Sequence, residues 1–172
     1  MLKKIISTIF LFLLFGCTNL PELQNPMSTS ENADRITSSF DSENEILAIG
    51  SSKIGSSGAL IAKGKASKEA KDKLKNKILT EEAIIFKSFL VPADPHIKKV
   101  LSPALSDLMD YTATQLIQKS IEKDSWIENN KSYTVYTLSK SEILTESQSI
   151  FTQYIEDITN KLQIIKEGVV QQ

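Results

Sequence analysis

The sequence predicts an α+β domain: a small antiparallel sheet of about three strands with helices packed on one face, in the order β-α-α-β-β-α. Three observations carry this. Ala62, Ala66, Ala70, Leu74 and Ile78 recur every fourth residue, and such steps drift by only about 40° on a helix of 3.6 residues per turn, so they form one broad stripe. A β-branched and aromatic run, Tyr133-Thr-Val-Tyr136, follows the turn signal Asn129-Asn130, a pattern of hairpins whose central residues adopt positive φ. Toward the C-terminus, Phe151, Ile155, Ile158, Leu162, Ile165 and Val169 alternate in steps of four and three, the spacing of a helical seam.

The elements follow in chain order. Residues 45–50, EILAIG, read as a short apolar strand ending in glycine, and residues 51–58, SSKIGSSG, as a flexible turn. The alanine-stepped helix occupies 59–78. Its small residues allow close approach to a sheet, while Gly64 costs about 1 kcal/mol against alanine. A second helix is expected over 80–90, with Thr80 as its N-cap and acids behind it. Val91-Pro-Ala-Asp-Pro95 breaks it. Pro103 suits a first helical turn, and a helix from there to about Lys123 places Leu105, Leu108, Met109, Thr112, Leu116, Ile117, Ser120 and Ile121 inward. Trp126-Ile127 is a short strand, residues 128–131 a turn, and residues 132–139 the last strand. Residues 141–167 close the chain as an amphipathic helix. Together, residues 45–172 form one domain.

Upstream of it, residues 18–44 are rich in Ser, Thr, Asn, Pro and acids without periodicity. Such a segment cannot bury enough surface to offset its ordering entropy, and it reads as a flexible tether able to span roughly 30 Å. Phe40 stands at its boundary with the domain.

The first seventeen residues, MLKKIISTIFLFLLFGC, carry the most specific signal. Lys3 and Lys4 precede an apolar run, residues 5–15, that is too short to cross a bilayer core of about 30 Å as a helix. That is the order of a signal peptide, here covering residues 1–16. Leu14-Phe15-Gly16-Cys17 resembles the bacterial lipobox. The resemblance implies cleavage before Cys17 and acylation of its thiol, with palmitate-type chains holding the protein in a membrane. Phe15 is larger than the residue usually found at its position. The competing reading is a transmembrane anchor or buried hairpin helix with an incidental cysteine. The chain has one cysteine, so no intrachain disulfide forms, and that cysteine stands where lipidation requires it. Two or more acyl chains give stable anchoring where one does not. No Asp follows Cys17, which implies an outer-membrane destination, periplasmic or surface-exposed.

The short strand ending Ala48-Ile-Gly50, the alanine-stepped helix, the middle helix, the Trp126 strand, Tyr133-Thr-Val-Tyr136 and the closing helix together resemble the Lpp-twenty lipoprotein family. The flagellar P lipoprotein and the N-terminal part of the flagellar T protein are similar to that family. The resemblance covers about residues 45–146. It implies a non-enzymatic envelope lipoprotein, in some members flagellar-associated, and it implies no catalytic residue. Lys63 and Lys73 depart from the more uniform alanine of the family's helix.

Motifs with possible chemistry are few. Gly50-Ser-Ser-Lys-Ile-Gly55-Ser-Ser lacks the Lys-Ser/Thr that must follow the second glycine of a phosphate loop. His96, the single histidine, has Asp94 beside it, too few ligands for a metal, and reads as a solvent-facing loop residue. The pairs Glu81/Glu82, Asp107/Asp110 and Glu156/Asp157 read as solvated helix faces. Lysines at 63, 65, 68, 71, 73, 75 and 77 form the strongest charge bias; they are either the wet side of a helix or a surface for an anionic ligand. A net charge of −1 and the lack of aromatics among these lysines argue against nucleic acid. No catalytic, cofactor-binding or metal-binding residue is expected. The function expected is contact-based: a membrane-bound lipoprotein with a protein partner, or self-association, through the C-terminal helix. The alternatives are a surface module binding an anionic ligand through the lysine-rich helix and, from a different class, an exported hydrolase.

Overall fold

The computed structural model describes residues 31–93 and 95–170. Cys17, the signal peptide and the first part of the tether lie outside the described residues. The chain divides into two units, Met1–Asp34 and Arg35–Gln172. Of the first, only the opening of helix α1 (Glu31–Ser38) is described; the remaining elements belong to the second. They are β1 (Glu45–Lys53), α2 (Gly58–Leu90), α3 (Pro95–Leu101), a 3₁₀ turn (Ser102–Ala104), α4 (Leu105–Lys119), β2 (Ile121–Glu128), β3 (Lys131–Ser139) and α5 (Lys140–Val170). Among the described residues no helix is long and apolar enough to cross a membrane.

The fold class agrees with the sequence: an α+β unit around a three-stranded antiparallel sheet, ordered β1-β3-β2. Asn129 and Asn130 hold φ values of 49° and 58°, as a two-residue hairpin between twisted strands requires. Glu128 therefore faces Lys131, and the register runs back along both strands with one bulge between Glu122 and Asp124. On the other side of β3, Leu47 faces Thr137 and Ile49 faces Val135.

One face of the sheet, with Ile46, Ala48, Tyr136 and Leu138, packs against α2. Ala62, Ala66, Ala70, Leu74, Ile78, Glu82 and Phe86 are all buried at four-residue steps. At about 40° of drift per step, the stripe turns through roughly 240° along the helix. Its alanines meet the sheet, and its larger residues turn toward α4 and α5. The alanine end permits a very close strand–helix approach: a Cβ on Gly50 would collide with the Ala66 carbonyl and the Ala70 amide. Leu74, Ile78, Ala113, Leu116 and Ile143 complete the core. Beyond it, Phe86, Phe89 and Phe151 meet edge-on or tilted at centroid distances of 5.2–6.0 Å.

Several expected boundaries move. Residues 59–78 and 80–90 are one helix; the Thr80 hydroxyl donates to the Asn76 carbonyl at 3.0 Å, as a mid-helix threonine does, and caps nothing. Pro95 opens α3 where only a break was expected. Helix α4 stops at Lys119 because Ser120 is extended, ψ 143°, so Ile121 belongs to β2, which is far longer than the expected pair Trp126-Ile127. The expected flexible tether, residues 17–44, contains helix α1, and the compact unit begins at Arg35 and not at Glu45. Ile36 and Phe40 line a small cavity with Leu47 and Thr137 on the sheet face opposite α2.

Candidate interaction surfaces

The lysine-rich part of α2 acts largely within the fold. Strand β1 is an edge strand, and the backbone groups of Leu47, Ile49 and Ser51 point away from β3. Lys77 donates its ammonium to the Leu47 carbonyl at 2.6 Å, Lys73 donates to the Ile49 carbonyl at 3.1 Å, and Ser51 N–H donates to the Glu69 carboxylate at 2.9 Å. The match is geometric. Four helix residues rise about 6 Å and two strand residues about 6.8 Å, so side chains at 69, 73 and 77 meet alternate residues of a strand running the opposite way. Glu69 also pairs with Lys73 at 2.7 Å. Burial opposes ionisation of Glu69, but the Lys73 and Ser51 hydrogen bonds outweigh it and hold the carboxyl below its ordinary range.

Other lysines of the row are engaged too. Lys63 pairs with Glu122 at 2.9 Å, and this hydrogen bond is the main cause that lowers the Glu122 pKa and raises that of Lys63. The Tyr136 hydroxyl donates to Glu122 at 3.2 Å and shares a hydrogen bond with Ser67 at 3.0 Å, while the Lys71 ammonium lies 4.9 Å from the centre of its ring. Lys75 pairs with Asp110 at 2.7 Å. Lys65 and Lys68 are exposed and have no such partner among the described residues. The row is thus partly strand-edge protection and partly helix–sheet stitching, with Lys65 and Lys68 left outside these contacts among the described residues.

The carboxylate pairs differ in fate. Asp107, Asp110, Glu156 and Asp157 are exposed as expected, but Glu82 is fully buried. Neither of its oxygens, nor the buried Ser147 hydroxyl, has a hydrogen-bond partner among the described residues. Desolvation, reinforced by Asp110 and opposed by Lys75, pushes the Glu82 pKa up to about 8, so the group is mostly protonated at neutral pH. The signal was present in the sequence: extending the alanine stripe by one step reaches Glu82.

His96 lies in the first turn of α3, in a helix and not in a loop; its side chain and Asp94 are outside the described residues. No group of three or more metal-ligating side chains occurs among the described residues. The Gly50–Ser57 segment is strand through Lys53, then turn.

Helix α5 is the clearest surface. Its 31 residues extend about 46 Å. Ile143, Ser147 and Ile150 are buried; Phe151, Tyr154, Ile155 and Ile158 are half-buried; past Ile158 every residue through Ile164 is exposed. Leu162 is 60% exposed and Ile164 69%. α5 continues straight from β3, which runs parallel to α2, and its Phe151 meets Phe86 and Phe89 in the last turns of α2. The seam therefore runs on past the end of its covering helix. Ile165 and Val169 continue the pattern in sequence, with side chains outside the described residues.

A second apolar region lies at the opposite end of the sheet. Leu60 and Ile127 line an open cleft of about 480 Å³ with Ala59, Lys63, Ser125, Trp126 and Ser132. No protein-family model matches this chain, and no curated protein or solved structure is significantly similar to it.

Proposed function

We propose that this chain is a bacterial lipoprotein, cleaved before Cys17 and held by acyl chains on that thiol, which acts without catalysis through protein contacts in an outer-membrane or flagellar-associated assembly. The lipobox-like Leu14-Phe15-Gly16-Cys17 supports the anchor, and the resemblance to the Lpp-twenty family supports the setting. The observation that carries the contact role is the apolar row of α5, where Ile155, Ile158 and Leu162 follow at seam spacing while their cover falls away. Exposed apolar rows of this kind mark sites of association. The partner is another protein or a second copy of the chain.

Two measurements test the proposal. Mass spectrometry of the N-terminal peptide should find acylated Cys17 as the first residue; an intact leader, or an unmodified cysteine in the mature chain, refutes the anchor. Cross-linking in membranes should capture a defined complex that Leu162→Glu abolishes. A complex unchanged by that substitution refutes the role of α5.

A further inference from the structure

We propose that the sheet end remote from α5 is a docking surface for an anionic lipid bilayer, an inference that deepens the lipid-anchor reading and rests on it. The first turn of α2, the C-terminal end of β1 and the β2–β3 turn meet there, joined by Ile54 N–H donating to the Asn130 carbonyl at 2.9 Å. Three large aliphatic side chains are left in solvent: Leu60 is 81% exposed, Ile127 59% and Ile61 49%. Leu60 and Ile127 face one cleft, so they form one patch and not scattered residues.

The charges around this patch fit lipid headgroups. Lys65 follows Ile61 by one turn. Lys53 and Lys131 are direct partners across β1 and β3, a like-charge juxtaposition that an anion in front of it relieves. Lys53 and Lys65 are exposed, with no acid paired to them among the described residues. Glu122 is neutralised by Lys63, and Glu128 stands across from Lys131. Lys53 and Lys131 lie on the sheet face away from α2, and Leu60 and Ile127 on the α2 side, so a bilayer against this end meets basic side chains on one face and aliphatic ones on the other. Trp126, stacked on Tyr133 at 5.2 Å on the sheet face away from α2, lies at the same end of the sheet, where an amphipathic ring favours the interface. Docked by this end, the unit would direct α5 away from the bilayer with its apolar row available to a partner.

Trp126 is the single tryptophan of the chain, which makes the contact directly measurable. The full acylated chain is reconstituted in vesicles of equal parts phosphatidylcholine and phosphatidylglycerol, with bromine on the acyl chains as quencher. Sedimentation with the vesicles reports the anchor, and Trp126 quenching reports the docked end. The expected result is quenching by roughly half, relieved by added salt and by phosphatidylcholine alone. Leu60→Glu, Ile127→Glu and Lys65→Glu, all at exposed positions, should each relieve it while far-ultraviolet circular dichroism and sedimentation stay unchanged. A chain that sediments with Trp126 unquenched overturns the docking surface and leaves the anchor standing. Quenching that survives Leu60→Glu and Ile127→Glu also overturns it. A chain left in the supernatant overturns both.

Discussion

Glu82 makes the stability of this protein depend on pH in a direction opposite to that of most carboxylates. Its pKa rises from 4.5 to about 8 on folding, with burial as the main cause. The native state therefore binds a proton that the unfolded state releases between those values, and stability falls as pH rises through that window. Below about pH 4.5 both states are protonated and the ionisation of Glu82 costs nothing. Through the window the loss is about 1.4 kcal/mol per pH unit, reaching roughly 3 kcal/mol at about pH 7 and levelling near 5 kcal/mol above about pH 8. Set against a typical domain stability of about 5–15 kcal/mol, this is large. Glu82→Gln keeps the shape and removes the titration. Urea unfolding of both chains at a series of pH values should give equal stabilities at about pH 4 and a growing advantage for the Gln variant up to about pH 8. A stability difference that stays constant between about pH 5 and pH 8 refutes the reasoning, as does a direct titration placing the Glu82 midpoint near 4.5.

Further perturbations test the packing and the strand edge. Gly50→Ala drives a methyl into the Ala66 and Ala70 backbone, and thermal unfolding should show a loss of about 1–3 kcal/mol or more. Phe151→Ala removes the half-buried ring shared by Phe86 and Phe89 and should cost about 1.5–3 kcal/mol in urea unfolding. Replacing both Lys73 and Lys77 with Ala should cost about 1–2 kcal/mol and uncover the β1 edge; light scattering on warming should then show earlier aggregation than in a control with Lys65 and Lys68 replaced.

What the sequence made legible was local. Asn129-Asn130 announced the hairpin because positive φ is a property of two residues, and the alanine stripe announced α2 because helical periodicity needs no partner. Strand β2 escaped because it lies at an edge: Ile121, Glu122 and Lys123 are all exposed, so its residues show no inward–outward alternation. The extension of α2 past Thr80 escaped because the stripe's next member, Glu82, is a charged letter in an apolar series. Pro95 was legible as a boundary, but the same fixed φ that ends one helix can open another. The roles of Lys73 and Lys77 depend on the register between α2 and β1, which is set by the Gly50 approach and is written in neither segment alone.

That register bears on how the two surfaces are related. Lys73, Lys77 and Glu69 lock β1 to α2 at one edge, while Lys63, Glu122 and Tyr136 tie β2 and β3 to the same helix. A single helix, α2, thus carries Leu60 at one end and Phe86 against Phe151 at the other. Side-chain hydrogen bonds at both sheet edges resist rotation of the strands about that axis. The chain's only covalent link from sheet to α5, Ser139 to Lys140, lies beside β1, where Lys140 N–H donates to the Asn44 carbonyl at 2.8 Å. Removing the Phe151 ring from between Phe86 and Phe89 leaves α5 held to the sheet mainly at that junction, and should loosen it without disturbing the Leu60 end. Hydrogen exchange on Phe151→Ala would show this as faster exchange in α5 and the last turns of α2, with β1 and the first turns of α2 unchanged. Uniform acceleration along α2 would mean that the two ends are coupled through the helix, and that a membrane contact at one end can alter the apolar row at the other.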